Sequence, residues 1–241
     1  MLYFTYMPYI TVEEMRKNPE IFRGMDSGSS KTGTTHARFE GSTVPEMAFA
    51  YFKKEEALLE CGPIRGTFTK VMQEKGYSDL HALDFIDVLD YPDRKRVTMH
   101  EIDFNKDRFP YKDRFFGSVV AWGIVEHLEN PFHFIREIHR VMKPGATFIF
   151  SVPNVFHITS RLLFLKRGMF PRWNKSNNHI FVLPRGVFEK TVLKYFNLVE
   201  ERFVKPKLEL PLLRRLTRFL PANQWFGDYV VYVLKKKEDI S

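Results

Sequence analysis

The sequence predicts a doubly wound α/β fold with a mostly parallel sheet, and three observations lead there. Seven short apolar runs alternate with helix-length segments along the 241 residues, the pattern that right-handed βαβ crossovers produce. One of these runs, Phe116 to Trp122, is rich in valine and reads as buried on both faces, as a central parallel strand must be. The composition, 44% hydrophobic and 27% charged, is ordinary for a globular chain with a sizeable core.

Taken in order, Thr11-Val12-Glu13-Glu14 reads as a capping box, with Thr11 as N-cap and Glu14 reaching back, opening a short helix that fades at Asn18-Pro19. Gly24 to Thr35 is polar and aperiodic and reads as a mobile loop. Within it, Gly28 to Gly33 approaches a phosphate-binding loop. It lacks the lysine after the second glycine and the buried strand before the first. Residues 1–44 therefore form an N-terminal helix and loop, and residues 45–241 the α/β domain.

That domain opens with a helix from Pro45 to Glu56 and a strand at Ala57-Leu58-Leu59. A tight turn leads to a helix from Thr67 to Lys75, stopped by Gly76. Strands follow at Leu80 to Phe85, Val97 to Ile102 and Phe116 to Trp122. Asn130-Pro131 places an N-cap and a first-turn proline ahead of Phe134, Ile135, Ile138, Val141 and Met142 at helical spacing. Lys143-Pro144-Gly145 ends that helix before a strand from Ala146 to Val152. The tail reads as a strand from Leu198 to Val204, an amphipathic basic helix from Leu210 to Leu220, and a strand from Tyr229 to Leu234.

Charge narrows the function. The formal net charge is +8, yet residues 161–237 carry 17 basic against 5 acidic side chains. Such an excess points to an anionic substrate, a membrane surface or nucleic acid. The single cysteine, Cys61, excludes a disulfide scaffold and a cysteine-rich zinc cluster, and no metal site is expected. Met1 to Ile10 is apolar but lacks the basic start and small-residue cleavage site of a signal peptide. A cytoplasmic location is the expectation.

The first strand of the domain runs into Glu60-Cys61-Gly62-Pro63-Ile64-Arg65-Gly66. A glycine turn between strand and helix lets a ligand approach the backbone, and the helix start offers free N–H groups to a negative group. Eighteen residues after Gly66 stands Asp84, where a carboxylate can accept from both hydroxyls of a ribose. On spacing alone, a tight turn and a solvated acid explain these residues equally well.

Four segments, taken in order, resemble the class I S-adenosylmethionine-dependent methyltransferases, in the type 11 branch. They are Glu60 to Gly66, Leu83-Asp84-Phe85, Phe116 to Leu128 with its Glu126-His127 pair, and Ile138 to Gly145 running on to Ser151-Val152-Pro153-Asn154. His179 to Pro184, followed by a helix, resembles the same branch. The resemblance covers about Leu58 to Val204 and implies a Rossmann-like seven-stranded sheet with helices on both faces and its last strand antiparallel. It also implies S-adenosylmethionine as cofactor and S-adenosylhomocysteine as product. Position by position, Glu60, Gly62 and Gly66 would hold the methionine end and Asp84 the ribose. Phe85 would lie on the adenine, Asp103 would accept from its amino group with Phe104 alongside, and Ala121 and Trp122 would floor the sulfonium. Two positions depart from the family pattern: Ile64 replaces a middle glycine, and Gly117 replaces an aspartate.

A hydroxyl acceptor needs a base to take its proton. His127 and His179 are the candidates, since an imidazole near its unperturbed pKa of about 6.5 suits the task. Residues 155–185 lie outside the minimal cofactor fold and mix arginines and lysines with aromatics. As a lid they would recognise an anionic acceptor through Asn154, Arg161, Arg172 and Trp173; a solvated basic face over a packing insertion is the plainer reading. The Leu210 to Leu220 helix suits peripheral membrane contact or packing on the sheet. A nucleic-acid acceptor fits the charge, but Ala121-Trp122-Gly123 is not the Asn/Asp-Pro-Pro-aromatic motif of amino-methylating nucleic-acid enzymes. The expected acceptor is a small molecule or glycan, anionic and methylated on oxygen. A methyltransferase-like binding protein without activity is the third reading.

Overall fold

The computed structural model describes residues 9–18, 44–174, 177–204 and 220–238. The polar run at 24–35, Lys175 and the basic helix read over 210–219 lie outside the described residues.

Helix α1, Val12–Lys17, carries the capping box read from its sequence. The Glu14 amide donates to Thr11 Oγ1 at 3.2 Å, and the Thr11 amide donates to the Glu14 carboxylate at 2.8 Å. Helix α2 spans Val44–Phe49, shorter than the run read to Glu56. The amides of Ala50 and Tyr51 bond three residues back, to Met47 and Ala48. These tight turns end the helix and bring Phe52 into the core.

The sheet contains β1 (Leu58–Cys61), β2 (Leu80–Asp84), β3 (Val97–Glu101), β4 (Phe116–Trp122), β5 (Met142–Pro153), β6 (Phe196–Val204) and β7 (Tyr229–Lys236). Their spatial order is β3-β2-β1-β4-β5-β7-β6. β7 runs antiparallel to both its neighbours, and the pairs from β3 across to β5 are parallel. This is the seven-stranded, doubly wound sheet expected, with the last strand in sequence reversed. The chain steps outward from β1 to β3, then returns to place β4 against the other side of β1. The reversal opens a crevice at the carboxyl ends of β1 and β4, where such sheets bind ligands.

Strand alternation divides the core in two. Cys61, Val119, Ala121, Phe148 and Phe150 face α4 (Pro131–Val141) and α6 (Arg185–Thr191), meeting Phe134, Ile138 and Phe188. Leu58, Val120, Trp122 and Ile149 face α2 and α3 (Thr67–Glu74), meeting Met47, Phe68 and Met72. Helix α4 starts where the sequence placed it: the Asn130 side chain accepts from the His133 amide, and Pro131 takes the first position. Arg140 near its end bonds Glu137, Asp113 and the carbonyls of Phe109 and Tyr111.

Among the boundaries that shift are those of β1 and β5. β1 extends through Glu60 and Cys61, so the turn begins only at Gly62. β5 starts at Met142, which already pairs with Phe116 before Lys143-Pro144-Gly145, and the register slips between Phe116 and Ser118 to absorb those residues. The insertion after β5 contains α5, Ile158–Arg167. Among the described residues, no helix is long and apolar enough to cross a membrane.

Candidate functional site

The crevice is built on the turn after β1. Gly62 has φ +73°, and Gly66, which caps α3, has φ +80°. Both values lie in the left-handed region that side chains disfavour. The Gly62 amide donates to the Leu83 carbonyl at 2.8 Å, tying the turn to β2. A Cβ at Gly66 would stand 2.5 Å from the Tyr91 ring and 2.8 Å from Leu89, so both glycines are required by geometry.

Ile64 stands between them with φ +50°. The turn keeps the backbone shape of a glycine although the residue is β-branched, at a cost of roughly 1–2 kcal/mol. Ile64→Gly should remove that strain, offset in part by about 0.5–1 kcal/mol of added chain entropy in the unfolded state. The expected result in chemical denaturation is unchanged stability or a gain of up to about 1 kcal/mol. A loss above that size would mean that the Ile64 side chain contributes packing that outweighs the strain.

Two carboxyl groups point into this turn from adjacent strand ends. Glu60 is 1% exposed and Asp84 3%. Thr69 donates its hydroxyl to Glu60 Oε2. Asp84 accepts from the Phe85 amide at 2.8 Å on one oxygen and from the Ile64 amide at 3.3 Å on the other. Burial pushes each carboxyl up to about 7, in Asp84 against the opposing pull of those amides. Buried acids with this little compensation invite a ligand with hydrogen-bond donors.

The other expected cofactor positions divide. Phe85 is half-buried just past the end of β2. Asp103 is buried after β3, where its Oδ1 caps the Asn105 amide at 2.9 Å and Lys106 lies 3.7 Å from Oδ2. Phe104 packs into the core against Phe109 and Phe134, with centroids 5.9 and 5.1 Å away, as a core aromatic does. Ala121 and Trp122 close β4 from opposite faces of the sheet, and Trp122 stands edge-on to Phe68 at 5.5 Å. Gly117, where an aspartate is usual, lies against Glu56, whose Cβ would be 2.5 Å from any added Cβ. Its role is steric.

Sequence reading missed two parts of the site. Tyr91, in the loop after β2, lays its ring on Gly66, and its hydroxyl is buried without a hydrogen-bond partner among the described residues. The other is α1, which straps the carboxyl edge. Arg16 donates to the Phe85 carbonyl at 2.9 Å, Glu13 pairs with Lys106 at 3.0 Å, and Tyr9 donates to Glu129 at 2.6 Å. Ile10 exchanges two 3.0 Å hydrogen bonds with the Asn178 side chain. The capping box announced this helix, but no local signal says where it docks.

Beyond the crevice, β4 leads through Gly123 and Ile124 into a tight turn, Val125–His127. The Glu126 carbonyl accepts from the amides of Ile180 and Phe181, at 2.9 and 3.0 Å, which brings His179 over His127. The two rings stand nearly perpendicular, 4.6 Å apart. His127 Nδ1 lies 3.1 Å from the Asn178 carbonyl and must donate to it, leaving Nε2 with the lone pair. Burial drives the His127 pKa down to about 4, and burial with His127 alongside drives His179 to about 3. Neither ring has the near-neutral value asked of a general base. Glu126 beneath them is 2% exposed and pushed up by burial to about 8.

The four expected acceptor contacts hold the insertion together. Asn154 donates to the carbonyls of Gln224 and Gly227, which uses both its N–H groups, and accepts from the Phe156 amide. Arg172 grips Asp228 with two bonds, at 2.6 and 3.2 Å, and lies over the Tyr229 ring. Trp173 donates to the Phe181 carbonyl at 3.0 Å. Arg161, half-buried at the start of α5, stacks on Trp225 at 3.8 Å and donates to the Phe156 carbonyl at 2.8 Å.

Comparison with known proteins bears on this arrangement. Residues 38–197 match the family described as methyltransferase domain. A chain of the complex that contains the Haloferax volcanii Trm112 methyltransferase activator superposes with a TM-score of 0.61 at 14% identity, covering 94% of this chain and 98% of that one. A SAM-dependent methyltransferase from Archaeoglobus fulgidus gives 0.60 at 18% identity, covering 87% and 97%. One from Mesorhizobium loti gives 0.57 at 14%, covering 81% and 99%. At these identities the likeness is one of fold. A search of curated proteins finds no match.

Proposed function

The chain belongs to the class I S-adenosylmethionine-dependent methyltransferases, and from that premise we propose that it methylates an oxygen of an anionic small molecule or glycan bearing an apolar part. The residues of the turn fit the cofactor. Glu60 and Asp84 are buried acids short of donors, the glycines keep the backbone open, and the Tyr91 hydroxyl awaits an acceptor. Glu60, Gly62 and Gly66 would bind the methionine end, Asp84 the ribose, with Phe85 and Asp103 toward the adenine. The cofactor supplies a methyl group already activated on a sulfonium. The protein's own work is alignment, exclusion of water and management of the acceptor's proton.

The observation that carries the acceptor class is the surface of α5 and its flanks. Leu162 is 59% exposed, Phe164 49% and Leu165 83%, beside Arg161, Lys166 and Arg167. Apolar and cationic groups on one exposed helix match an acceptor with both characters, such as a phosphorylated or polyprenyl-linked sugar. The test supplies the protein with methyl-labelled cofactor and either lipid-soluble or aqueous metabolite extract. Label should enter an acidic, base-stable product, and Leu165→Glu should reduce it. Label in RNA, or in a neutral or N-methylated product alone, would reject this class.

The buried acids also make a pH prediction. Unfolded carboxyls titrate near 4, whereas Glu60 and Asp84 do so at about 7 when folded. Between those values the folded protein keeps protons that the unfolded chain has released. Their contribution to stability is therefore complete below about pH 4, declines with rising pH and is gone above about 7. A ligand that donates hydrogen bonds prefers the ionised acids, so cofactor affinity should rise from pH 6 to 7.5 and then level off. The slope is at most about tenfold per unit for each group. Calorimetry in two buffers of different ionisation enthalpy should show proton release at pH 6 and little at pH 8. Affinity independent of pH would place the ligand away from these acids.

A further inference from the structure

The turn after β4 holds polar groups for which the methyltransferase reading has no use. Glu126 Oε2 and His179 Nδ1 are both buried and have no hydrogen-bond partner among the described residues. One carboxylate oxygen of Glu126 and one ring nitrogen each from His127 and His179 lie within 4.8 Å of one another. We propose that Glu126, His127 and His179 form a binding site for one divalent first-row transition cation, with Zn²⁺ the metal it fits best.

The hydrogen bonds around the rings support this. His127 spends Nδ1–H on the Asn178 carbonyl, which turns Nε2 toward the group as a lone pair. The His179 ring keeps a buried Nδ1 with no hydrogen-bond partner among the described residues, available as a second lone pair. The carbonyl on the far nitrogen of His127 is the arrangement that orients metal-bound imidazoles. Two imidazoles and one carboxylate suit zinc and its neighbours. Magnesium, by contrast, demands oxygen ligands in near-octahedral order. Metal bonds of about 2.0–2.2 Å require the three side chains to close by roughly 1 Å, within reach of small rotations.

The backbone has been arranged for the meeting. His127 and His179 are 52 positions apart in sequence and are joined by the Ile180 and Phe181 amides on the Glu126 carbonyl. The Ile10 clasp on Asn178 fixes the loop from the other side. Three protein ligands leave a position open. Resting on the function proposed above, that position would take the acceptor's hydroxyl and lower its pKa, so that the proton leaves to water without a histidine base.

The test uses the full chain freed of metal with a chelator and titrated with Co²⁺, without cofactor or acceptor. Ligand-field absorption in the visible should saturate at one Co²⁺ per chain, be displaced by Zn²⁺ and resist excess Mg²⁺. Glu126→Gln and His179→Ala should each weaken binding at least about 100-fold. Thermal melting reports whether each variant is folded; if Glu126→Gln is not, His179→Ala in its loop decides. Absence of a Co²⁺ spectrum in the wild-type chain overturns the site. So does equal affinity in a folded variant, the mark of adventitious surface binding. A single Co²⁺ bound by a chain that does not bind S-adenosylmethionine would leave the metal site standing and remove the methyltransferase reading. The reverse result would do the opposite.

Discussion

Asp84→Ala should weaken S-adenosylmethionine at least about 100-fold while leaving the protein folded. The carboxylate sits at the end of β2 with one amide on each oxygen, and each oxygen keeps a lone pair for a ribose hydroxyl. Hydrogen bonds to a charged group are worth about 1.5–3 kcal/mol each, and two of them account for the expected loss. Asp84→Asn keeps one acceptor and should lose less, about tenfold. The structural consequence is smaller because the two effects oppose each other. Alanine leaves the amides of Ile64 and Phe85 without acceptors, a cost of about 1–3 kcal/mol. It also removes a buried acid that above pH 7 must stand ionised in the empty protein. Calorimetry and melting at pH 8 separate the two. A folded Asp84→Ala that binds the cofactor as tightly as the wild type would end the assignment of this acid to the ribose.

The fold was legible because its signals are local. Valines through β4, the Asn130-Pro131 start of α4 and the Thr11 capping box are each settled within a few residues. The glycine turn was legible for the same reason, whereas the positive φ at Ile64 emerges only from the structure. The strap and the His127–His179 cluster were not, because their contacts join distant parts of the chain. Asn178 reads as one polar residue in a loop, yet it holds Ile10 across 168 positions and orients His127 across 51. Burial also changes a residue's chemistry in ways spacing cannot announce. His127 and His179 were chosen for an ordinary imidazole pKa, and the desolvation that removes it follows from the fold of residues 177–181 onto Glu126. Arg172 looked like a free cation in sequence, whereas Asp228 neutralises it from the start of β7.

Gly62→Ala should be a severely damaging small substitution in the turn, destabilising the protein by about 2–5 kcal/mol. Two separate costs combine. At φ +73° an alanine pays roughly 1–2 kcal/mol for the left-handed backbone. Its Cβ would also stand 2.1 Å from Ile124 Cδ1 and 2.9 Å from Cγ1, an overlap that overpacked sites relieve at about 1–3 kcal/mol. The components separate in a double-mutant cycle with Ile124→Ala, which deletes both clashing atoms. The double variant should recover the steric part, a coupling of about 1–3 kcal/mol, and retain the backbone part. Ile64 sets the scale for the retained part, since the same turn already accommodates a β-branched residue at φ +50°. Cofactor binding should follow a different course. Gly62 donates to the Leu83 carbonyl beside Asp84, so a displaced turn moves both buried acids even when Ile124 has made room. The double variant should therefore regain stability but bind S-adenosylmethionine more weakly than Ile124→Ala alone. If Gly62→Ala unfolds within 0.5 kcal/mol of the wild type (about the spread of neutral surface changes), the turn is softer than its φ values imply. Full recovery of binding in the double variant would mean that Ile124, not the backbone, controls entry to the crevice.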